Sequence, residues 1–209
     1  MNHPRSSPAP RLAAALLAAT LAGTAMAEKA DRGMPLSVAA DRQATVDLSK
    51  QVVVFSGNVV ITKGSIEIRA DRVEVHEAPD GYRTAVAIGG PGKPATFRQK
   101  RDSVDEYIAG QADRLEYDDK GDVVRFIDNA VVRRLRGEAV GDEITGALIT
   151  YDNTTEVFSV SGGASAGAEH GAPGGRVRAV LAPRPGTAAA AEAASQAASA
   201  PRGTAGDKR

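Results

Sequence analysis

The 209-residue sequence contains no cysteine, no tryptophan and only three histidines. Without cysteine, no disulfide can reinforce the fold, so apolar burial and backbone pairing must hold it together. His3, His76 and His170 lie far apart in the sequence with no cysteine beside them, so we expect no metal site. Basic and acidic residues are equal in number, 26 of each, which gives nucleic-acid binding no electrostatic support.

The short motifs of common catalytic sites are also missing. The sequence has no G-x-S-x-G elbow, no phosphate-binding loop and no serine, histidine and aspartate that suggest a triad. We therefore expect no enzymatic activity, no catalytic residue and no cofactor.

The first 27 residues have the pattern of an export signal. Arg5 and Arg11 lead into an apolar run over residues 12–22, and Ala25-Met26-Ala27 fits a signal-cleavage site. The apolar run is shorter than the roughly 20 residues that are needed to cross a bilayer. Residues 1–27 are thus predicted to be a cleaved signal peptide, which places the mature protein outside the cytoplasm.

The C-terminal part is rich in alanine, glycine, proline and serine, a composition that offers little to bury. We expect a flexible hinge over residues 164–174 and a disordered Ala/Pro-rich tail over residues 185–209. Between them, Val177, Val180 and Leu181 predict a short C-terminal strand within residues 175–184. Residues 35–163 are predicted to form the single folded domain.

Alternation of apolar and polar residues dominates this domain. Val59 and Ile61, Ile66 and Ile68, and Leu115 and Tyr117 are examples of apolar side chains two residues apart. This spacing places them on one face of a β-strand, and glycine-containing turns separate the runs. The domain is therefore predicted to be all-β.

Two related phrases, "FSGNVV" at Phe55 and "FIDNAVV" at Phe126, interrupt apolar runs with a small polar pair. Asn58 and Asn129 each precede an aspartate, Asp71 and Asp142, by 13 residues. Glycine and asparagine both tolerate bent backbone, whereas Gly-Asn is a weaker hairpin signal than Asn-Gly. The repeat predicts corners at which collinear strand segments bend.

Asp71, Asp113 and Asp142 each precede an apolar strand, in "ADRVEV", "ADRLEY" and "GDEITG". They could act as catalytic carboxylates of a β-solenoid hydrolase, but their equal places in the repeat favour a structural turn role. Basic residues also cluster, and these clusters could form a solvated face or a rim that meets phosphate groups: Lys93, Arg98, Lys100, Arg101, Arg133, Arg134 and Arg136.

The phrases "F-x-G-N-V", "G-x-I-x-I-x-A-D" and "G-x-P-A-T-F", in this order, resemble the LptA (OstA-like) family of periplasmic bridge proteins for lipopolysaccharide transport. The likeness extends over residues 34–163, and "GGRVRAVLAPR" is similar to the last strand of the family. It implies an open-ended, twisted β-jellyroll of two facing antiparallel sheets, built from repeated short strands.

The resemblance implies a non-enzymatic carrier that shields the lipid A acyl chains of lipopolysaccharide in an apolar groove. The apolar residues that alternate along each strand are then expected to line the groove: Leu36, Val38, Val59, Ile61, Ile66, Ile68, Val86, Ile88, Phe97, Leu115 and Tyr117. Alternatives that stay open are a β-solenoid enzyme acting on polysaccharide and an envelope scaffold that binds no lipid.

The resemblance also implies partners: LptC at the inner membrane, LptD at the outer membrane, and further copies of the same chain joined head to tail. Open sheet edges can pair with a neighbour's strand. The edge residues expected to do so are Leu36 and Val38 at the first strand and Val177, Val180 and Leu181 at the last.

Overall fold

The computed structural model describes residues 31–101, 104–137, 139–162, 177–184 and 186–199. The predicted signal peptide (1–27) and the predicted hinge (164–174) lie outside the described residues. The described residues form β1 (Ser37–Ala39), β2 (Gln43–Asp47), β3 (Val52–Lys63), β4 (Ile66–Glu77), β5 (Arg83–Ile88), β6 (Ala95–Lys100), β7 (Glu106–Ala112), β8 (Arg114–Asp118), β9 (Val123–Arg136), β10 (Ala139–Asp152), β11 (Val157–Ser161), β12 (Arg178–Leu181) and the helix α1 (Ala188–Ser199).

The strands form one continuous antiparallel hydrogen-bonded network that is folded into two facing layers. In sheet I the order is β1, the end of β3, the start of β4, β6, β7, the end of β9, the start of β10 and β12. In sheet II the order is β2, the start of β3, the end of β4, β5, β8, the start of β9, the end of β10 and β11.

Four strands therefore belong to both layers. β3 and β4 have 12 residues each and β9 and β10 have 14, and each bends where it passes from one sheet to the other. The prediction of an all-β, jellyroll-like fold of two facing antiparallel sheets is confirmed. The predicted short strands appear here as halves of long bent ones, because the chain crosses between the sheets without a loop.

The predicted corners lie at these bends. The β3–β4 register shifts between Ser56 and Val59, and Gly57 and Asn58 both have positive φ, 84° and 44°. Asp128 and Asn129 in β9 also have positive φ, 60° and 50°. Glycine, asparagine and aspartate are the residues that adopt this left-handed conformation at least cost, so the small polar pairs allow the bend.

Polar contacts join successive corners into a row, which we call the corner side of the molecule. The Asn58 amide donates to Asp41 at 2.9 Å, and Arg42 donates to Asp71 at 2.7 Å. Further along the row, the Asn129 amide donates to Asp113 at 2.7 Å, and the Asp113 backbone N–H donates to the Asp128 carbonyl at 3.0 Å.

The row adds one detail to the predicted repeat and corrects another. Each corner asparagine contacts the aspartate of the preceding corner, and not the aspartate 13 residues later. Asp142 is not at a corner, because β10 bends between Gly146 and Leu148 and Asp142 lies within its sheet I segment. Asp142 forms an ion pair with Arg134, which lies opposite it on β9, and this pair accounts for an aspartate at this place in the strand.

The core fills the space between the sheets and draws side chains from both. Phe97 of sheet I and Phe126 of sheet II meet edge to face, with ring centroids 5.6 Å apart. Gly110 makes room for this pair, since a Cβ atom there would lie 2.2 Å from the Phe126 ring. The fully buried large side chains include Tyr117, Tyr151, Phe97, Phe126, Ile61, Ile68, Leu115 and Ile149.

The C-terminal part departs from the sequence prediction. A strand, β12, lies within the predicted segment 175–184 and pairs with β10 from Asp142 to Thr145. The tail, predicted to be disordered over 185–209, instead has the helix α1 at residues 188–199. Alanine has the highest helix propensity of all residues, so an alanine-rich stretch can form a helix without burying a face. Among the described residues, no helix is long and apolar enough to cross a membrane.

We predict that Asn129→Ala lowers the free energy of unfolding by about 1–2 kcal/mol, because alanine is disfavoured at this φ of 50° and lacks the amide that binds Asp113. Asn129→Gly, which keeps the backbone freedom and loses only the amide, should cost less. Urea denaturation of both variants provides the measurement. Equal losses would show that the corner backbone is not the reason for asparagine at this position.

Candidate functional site

The space between the two sheets is the candidate functional site, because the inward faces of both sheets are apolar. Of the residues predicted to line a groove, seven are buried with their side chains directed inward: Val59, Ile61, Ile66, Ile68, Phe97, Leu115 and Tyr117. Leu36 and Val38 are partly buried and pack against this cluster from the edge of sheet I.

Val86 and Ile88 were assigned to the wrong face. In β5 the buried residues are Ala85 and Ala87, and Val86 and Ile88 lie on the outer face of sheet II. Both faces of the "RTAVAI" strand carry apolar residues, so alternation alone does not distinguish them and the larger side chains are favoured for the interior. The register explains the inward alanines: Ala85 is opposite Tyr117 and Ala87 is opposite Leu115, and small residues are needed beside these large ones.

The interior also contains residues that the sequence analysis did not select. Ile108, Val132 and Tyr151 are buried, and Ile144 and Phe158 pack against them. The Tyr151 and Phe158 rings are stacked, with centroids 4.4 Å apart. In β10, Ile144 and Tyr151 have polar residues on both sides, so alternation applied to that strand would have found them. Ile108, Val132 and Phe158 each have an apolar neighbour, so alternation alone does not assign their faces.

A cavity of about 220 Å³ lies inside the fold near the β11 and β12 edge. Its walls combine apolar and charged groups: Ile108, Val132, Ile144, Tyr151, Phe158, Leu181, Arg101, Arg134, Asp142 and Glu156. Sites for drug-sized ligands usually have about 300–1,000 Å³. This cavity is therefore small, with apolar and charged groups sharing its walls.

The charged wall is an interlocked set of ion pairs. Glu106 accepts hydrogen bonds from Arg136 at 2.6 Å and from Arg101 at 2.5 Å. These bonds, the Arg136 bond first, hold the pKa of Glu106 below its ordinary value. Arg101 also donates to Glu156 at 2.7 Å, and Arg134 pairs with Asp142. The set is electrically balanced, with arginines and carboxylates alternating.

The remaining residues of the predicted basic rim lie elsewhere. Arg98 is on the outer face of sheet I, with its guanidinium 4.1 Å from the centroid of the Tyr107 ring. Arg133 donates to Glu143 at 2.7 Å, and Lys100 lies 3.9 Å from Asp105. Lys93 is exposed between β5 and β6. The rim is thus divided between Arg101, Arg134 and Arg136 near the cavity and the others outside it.

Lys63 is a buried cation between the sheets. Its ammonium donates to the Tyr117 hydroxyl at 3.3 Å and pairs with Asp119. Burial, followed by the nearby carboxylates, raises the pKa of Tyr117 well above its usual range, so the phenol stays neutral. A neutral oxygen and a carboxylate therefore satisfy the lysine inside an otherwise apolar region.

The aspartates considered as catalytic groups each have a structural partner. Asp71 accepts from Arg42, Asp113 from Asn129, and Asp142 pairs with Arg134. His76 lies 3.9 Å from Glu74 on the outer face of β4. Among the described residues, no group of histidine, cysteine or carboxylate side chains could hold a metal ion.

The predicted edge residues lie at opposite ends of the layers. Val38 is in β1, which has a neighbour on one side only, and Leu36 precedes it. At the other end, Val180 and Leu181 lie in β12, and Val177 precedes it. All three C-terminal residues are exposed, Leu181 at 73%. Both outer strands therefore present unpaired backbone groups in the described part of the chain.

Comparisons with known proteins give a consistent result. Residues 37–157 match the family model described as "LptA/(LptD N-terminal domain) LPS transport protein". The lipopolysaccharide export system protein LptA of Escherichia coli K12 is 35% identical over 151 residues, which cover 72% of this chain and 78% of that protein. LptA of Haemophilus influenzae is 31% identical over 139 residues, covering 66% of this chain and 77% of that protein.

A solved structure agrees with these relatives. It is the crystal structure of LptH, described as the LptA homologous periplasmic component of the lipopolysaccharide transport device of Pseudomonas aeruginosa. The TM-score is 0.61 at 26% sequence identity, and the alignment covers 73% of this chain and 99% of that chain.

The ion pairs of Glu106 predict a pH-dependent stability. Its pKa is depressed in the folded state, so its contribution is present above the ordinary glutamate value of 4.5 and is lost as the pH falls through the folded pKa. Glu106→Gln should lower the free energy of unfolding by about 1.5–3 kcal/mol at pH 7. In urea denaturation the gap between variant and wild type should narrow progressively as the pH falls below 4.5, the ordinary glutamate value. A gap that stays constant as the pH is lowered would contradict this assignment.

Proposed function

The chain belongs to the LptA/(LptD N-terminal domain) LPS transport protein family, and from this membership we propose that it is a periplasmic carrier of lipopolysaccharide. In this proposal the acyl chains of lipid A lie between the two sheets and the sugars remain in water. The protein forms part of a bridge between the inner and outer membranes and catalyses no reaction.

The observation that carries the proposal is the apolar interior shared by the two sheets. Exposing an acyl chain to water costs about 0.8 kcal/mol per methylene, so a chain of a dozen carbons costs roughly 10 kcal/mol. Side chains such as Ile61, Ile68, Phe97 and Leu115 offer an apolar surface that would remove most of this cost. An interior built from two layers can admit a ligand if the layers move apart.

The cavity beside Tyr151 and Phe158 is the proposed starting point for lipid entry. It joins an apolar base to a charged wall, which suits an amphiphile with acyl chains and phosphate groups. Arg101 and Arg134 line it, and arginine binds phosphate with paired hydrogen bonds. The outer basic residues, among them Arg98 and Arg133, are less suited, since they lie on the opposite face of sheet I.

The bridge itself is proposed to form through the open edges. A strand added to β1 and β2 on one copy and to β11 and β12 on another extends both layers by β-augmentation. The two edges are different, so the contact is head to tail and leads to a linear assembly. By family resemblance, LptC and LptD would occupy the two ends of this assembly.

A photo-crosslinking amino acid can test the proposed interior site. We expect a benzophenone side chain in place of Phe158, which lines the cavity, to capture lipopolysaccharide. The matched control replaces Tyr107, an aromatic residue of β7 that stacks with Arg98 on the outer face of sheet I. Products are detected by immunoblotting against lipopolysaccharide. Equal capture at both positions, or capture at residue 107 alone, would reject the interior site.

Truncation can test the proposed edge contact. A chain ending at residue 176 lacks β12, and we expect it to keep its circular dichroism spectrum while self-association weakens, because β12 pairs with β10 only over Asp142–Thr145. A chain ending at Arg184 keeps β12 and lacks α1, and it serves as the control. Analytical ultracentrifugation measures association. Assemblies of unchanged size without β12 would show that this edge is not the contact.

A further inference from the structure

The two sheets are joined by strands on the corner side only. On the opposite side, hairpin connections of sheet I, such as β3–β4 and β6–β7, face hairpin connections of sheet II, such as β8–β9 and β10–β11. No described strand crosses between the sheets there. We call this the turn side. Among the described residues, the side-chain contacts that span it fall into three groups along its length.

The first contact joins the β3–β4 hairpin to the β8–β9 hairpin. Lys63, the last residue of β3, reaches across to Asp119 and to the Tyr117 hydroxyl of sheet II. The lysine side chain is 3% exposed and the aspartate 19%. A charge this deeply buried is strongly destabilised if its partner leaves, so this contact is the firmest of the three.

The second contact is the segment that precedes β1. Asp31 accepts from the Ser65 backbone N–H at 2.6 Å and from the Gln99 amide at 3.1 Å, which ties it to sheet I. The next residue, Arg32, donates to the Lys120 carbonyl of sheet II at 3.4 Å. The chain therefore bridges the turn side beside the Lys63 contact.

The third contact is the pair between Arg101 and Glu156. Arg101 follows β6 of sheet I, and Glu156 precedes β11 of sheet II. The two side chains are 23% and 34% exposed, which is more than for Lys63 and Asp119. Both residues also line the cavity, so this pair lies directly at its opening.

Arg101 would keep its position if Glu156 moved away. Its other hydrogen bond goes to Glu106 of sheet I, and Glu106 is itself held by Arg136. Glu156, in contrast, adopts a φ of 57°, a conformation that is costly for residues other than glycine, asparagine and aspartate. An anionic group that replaces the Glu156 carboxylate on Arg101 would therefore loosen this contact between the sheets while Arg101 stays in place on sheet I.

We propose that the Arg101–Glu156 pair is an anion-exchangeable latch, through which an amphiphile with a phosphate head and acyl chains opens the turn side next to the cavity. The phosphate takes the place of Glu156 on Arg101, and the acyl chains enter sideways between the sheets. The Lys63 and Asp31 contacts remain closed and limit the opening to one end. This inference rests on the proposed carrier function and adds the route of entry.

A reversible cross-link provides the main test. The natural chain has no cysteine, so Arg101→Cys/Glu156→Cys carries the only two thiols. A bis-maleimide with a reducible disulfide in its linker joins them, and a reducing agent then releases the same sample. We expect the linked form to take up Escherichia coli lipopolysaccharide far more slowly than the released form, as measured by co-elution in gel filtration after timed mixing.

The outcomes separate the latch from the carrier function. Slow uptake that recovers on reduction supports lateral entry at this end; both forms lack Arg101, so this comparison tests the opening and the second measurement tests the anion exchange. Equal uptake by linked and released protein would overturn the latch, while the carrier function stands and lipid enters elsewhere. If wild type takes up no lipopolysaccharide, the carrier proposal and the latch fail together.

A second measurement tests the exchange of anions. Glu156→Gln removes the competing carboxylate and nearly preserves the shape, so dodecyl phosphate should bind about two- to fivefold more tightly than to wild type, as expected for loss of a partly exposed ion pair. The control is Glu116→Gln, which breaks the pair with Arg114 on the outer face of β8. Isothermal titration calorimetry measures affinity. Equal affinity in wild type and Glu156→Gln would contradict the exchange.

Discussion

The row of polar contacts along the corner side is the constraint on which the rest of the structure depends. Asn58 with Asp41, Arg42 with Asp71, and Asn129 with Asp113 fix where the long strands bend. The position of a bend decides which residues of a strand belong to sheet I and which to sheet II. A bend displaced by one residue would exchange the inward and outward faces beyond it. The apolar interior, the cavity and the turn side all depend on the place of these corners.

The sequence predicted the parts of the fold that depend on local chemistry. Gly57-Asn58 was interpreted as a corner because both residues tolerate bent backbone, and the strand faces around Ile61 and Leu115 followed from alternation. The failures came from information that is not local. Val86 and Ile88 were placed inside because nothing in β5 says that its neighbour β8 brings Tyr117 and Leu115 to the same place. Asp142 was grouped with the corner aspartates because of the 13-residue step, which does not encode that it lies within the sheet I segment of β10.

The charged residues could be found from the sequence, but their arrangement could not. Basic clusters suggested a rim, whereas the structure divides them between the cavity wall and the outer face of sheet I. Glu106 is responsible for much of this division, because it draws Arg101 and Arg136 to one side of the cavity. An acidic residue placed among arginines neutralises them and orients them at the same time. Whether a basic cluster is a binding surface therefore depends on the carboxylates that strand pairing brings opposite to it.

The separation of corner side and turn side has a mechanical consequence. The corner contacts are polar and lie at the surface, so they share almost no atoms with the apolar interior. The strand bends are therefore held by contacts that are separate from the core packing. The strength of the corner contacts does not depend on how the space between the two sheets is packed. Substitutions that change the size or shape of the apolar interior are therefore expected to leave the corner contacts in place.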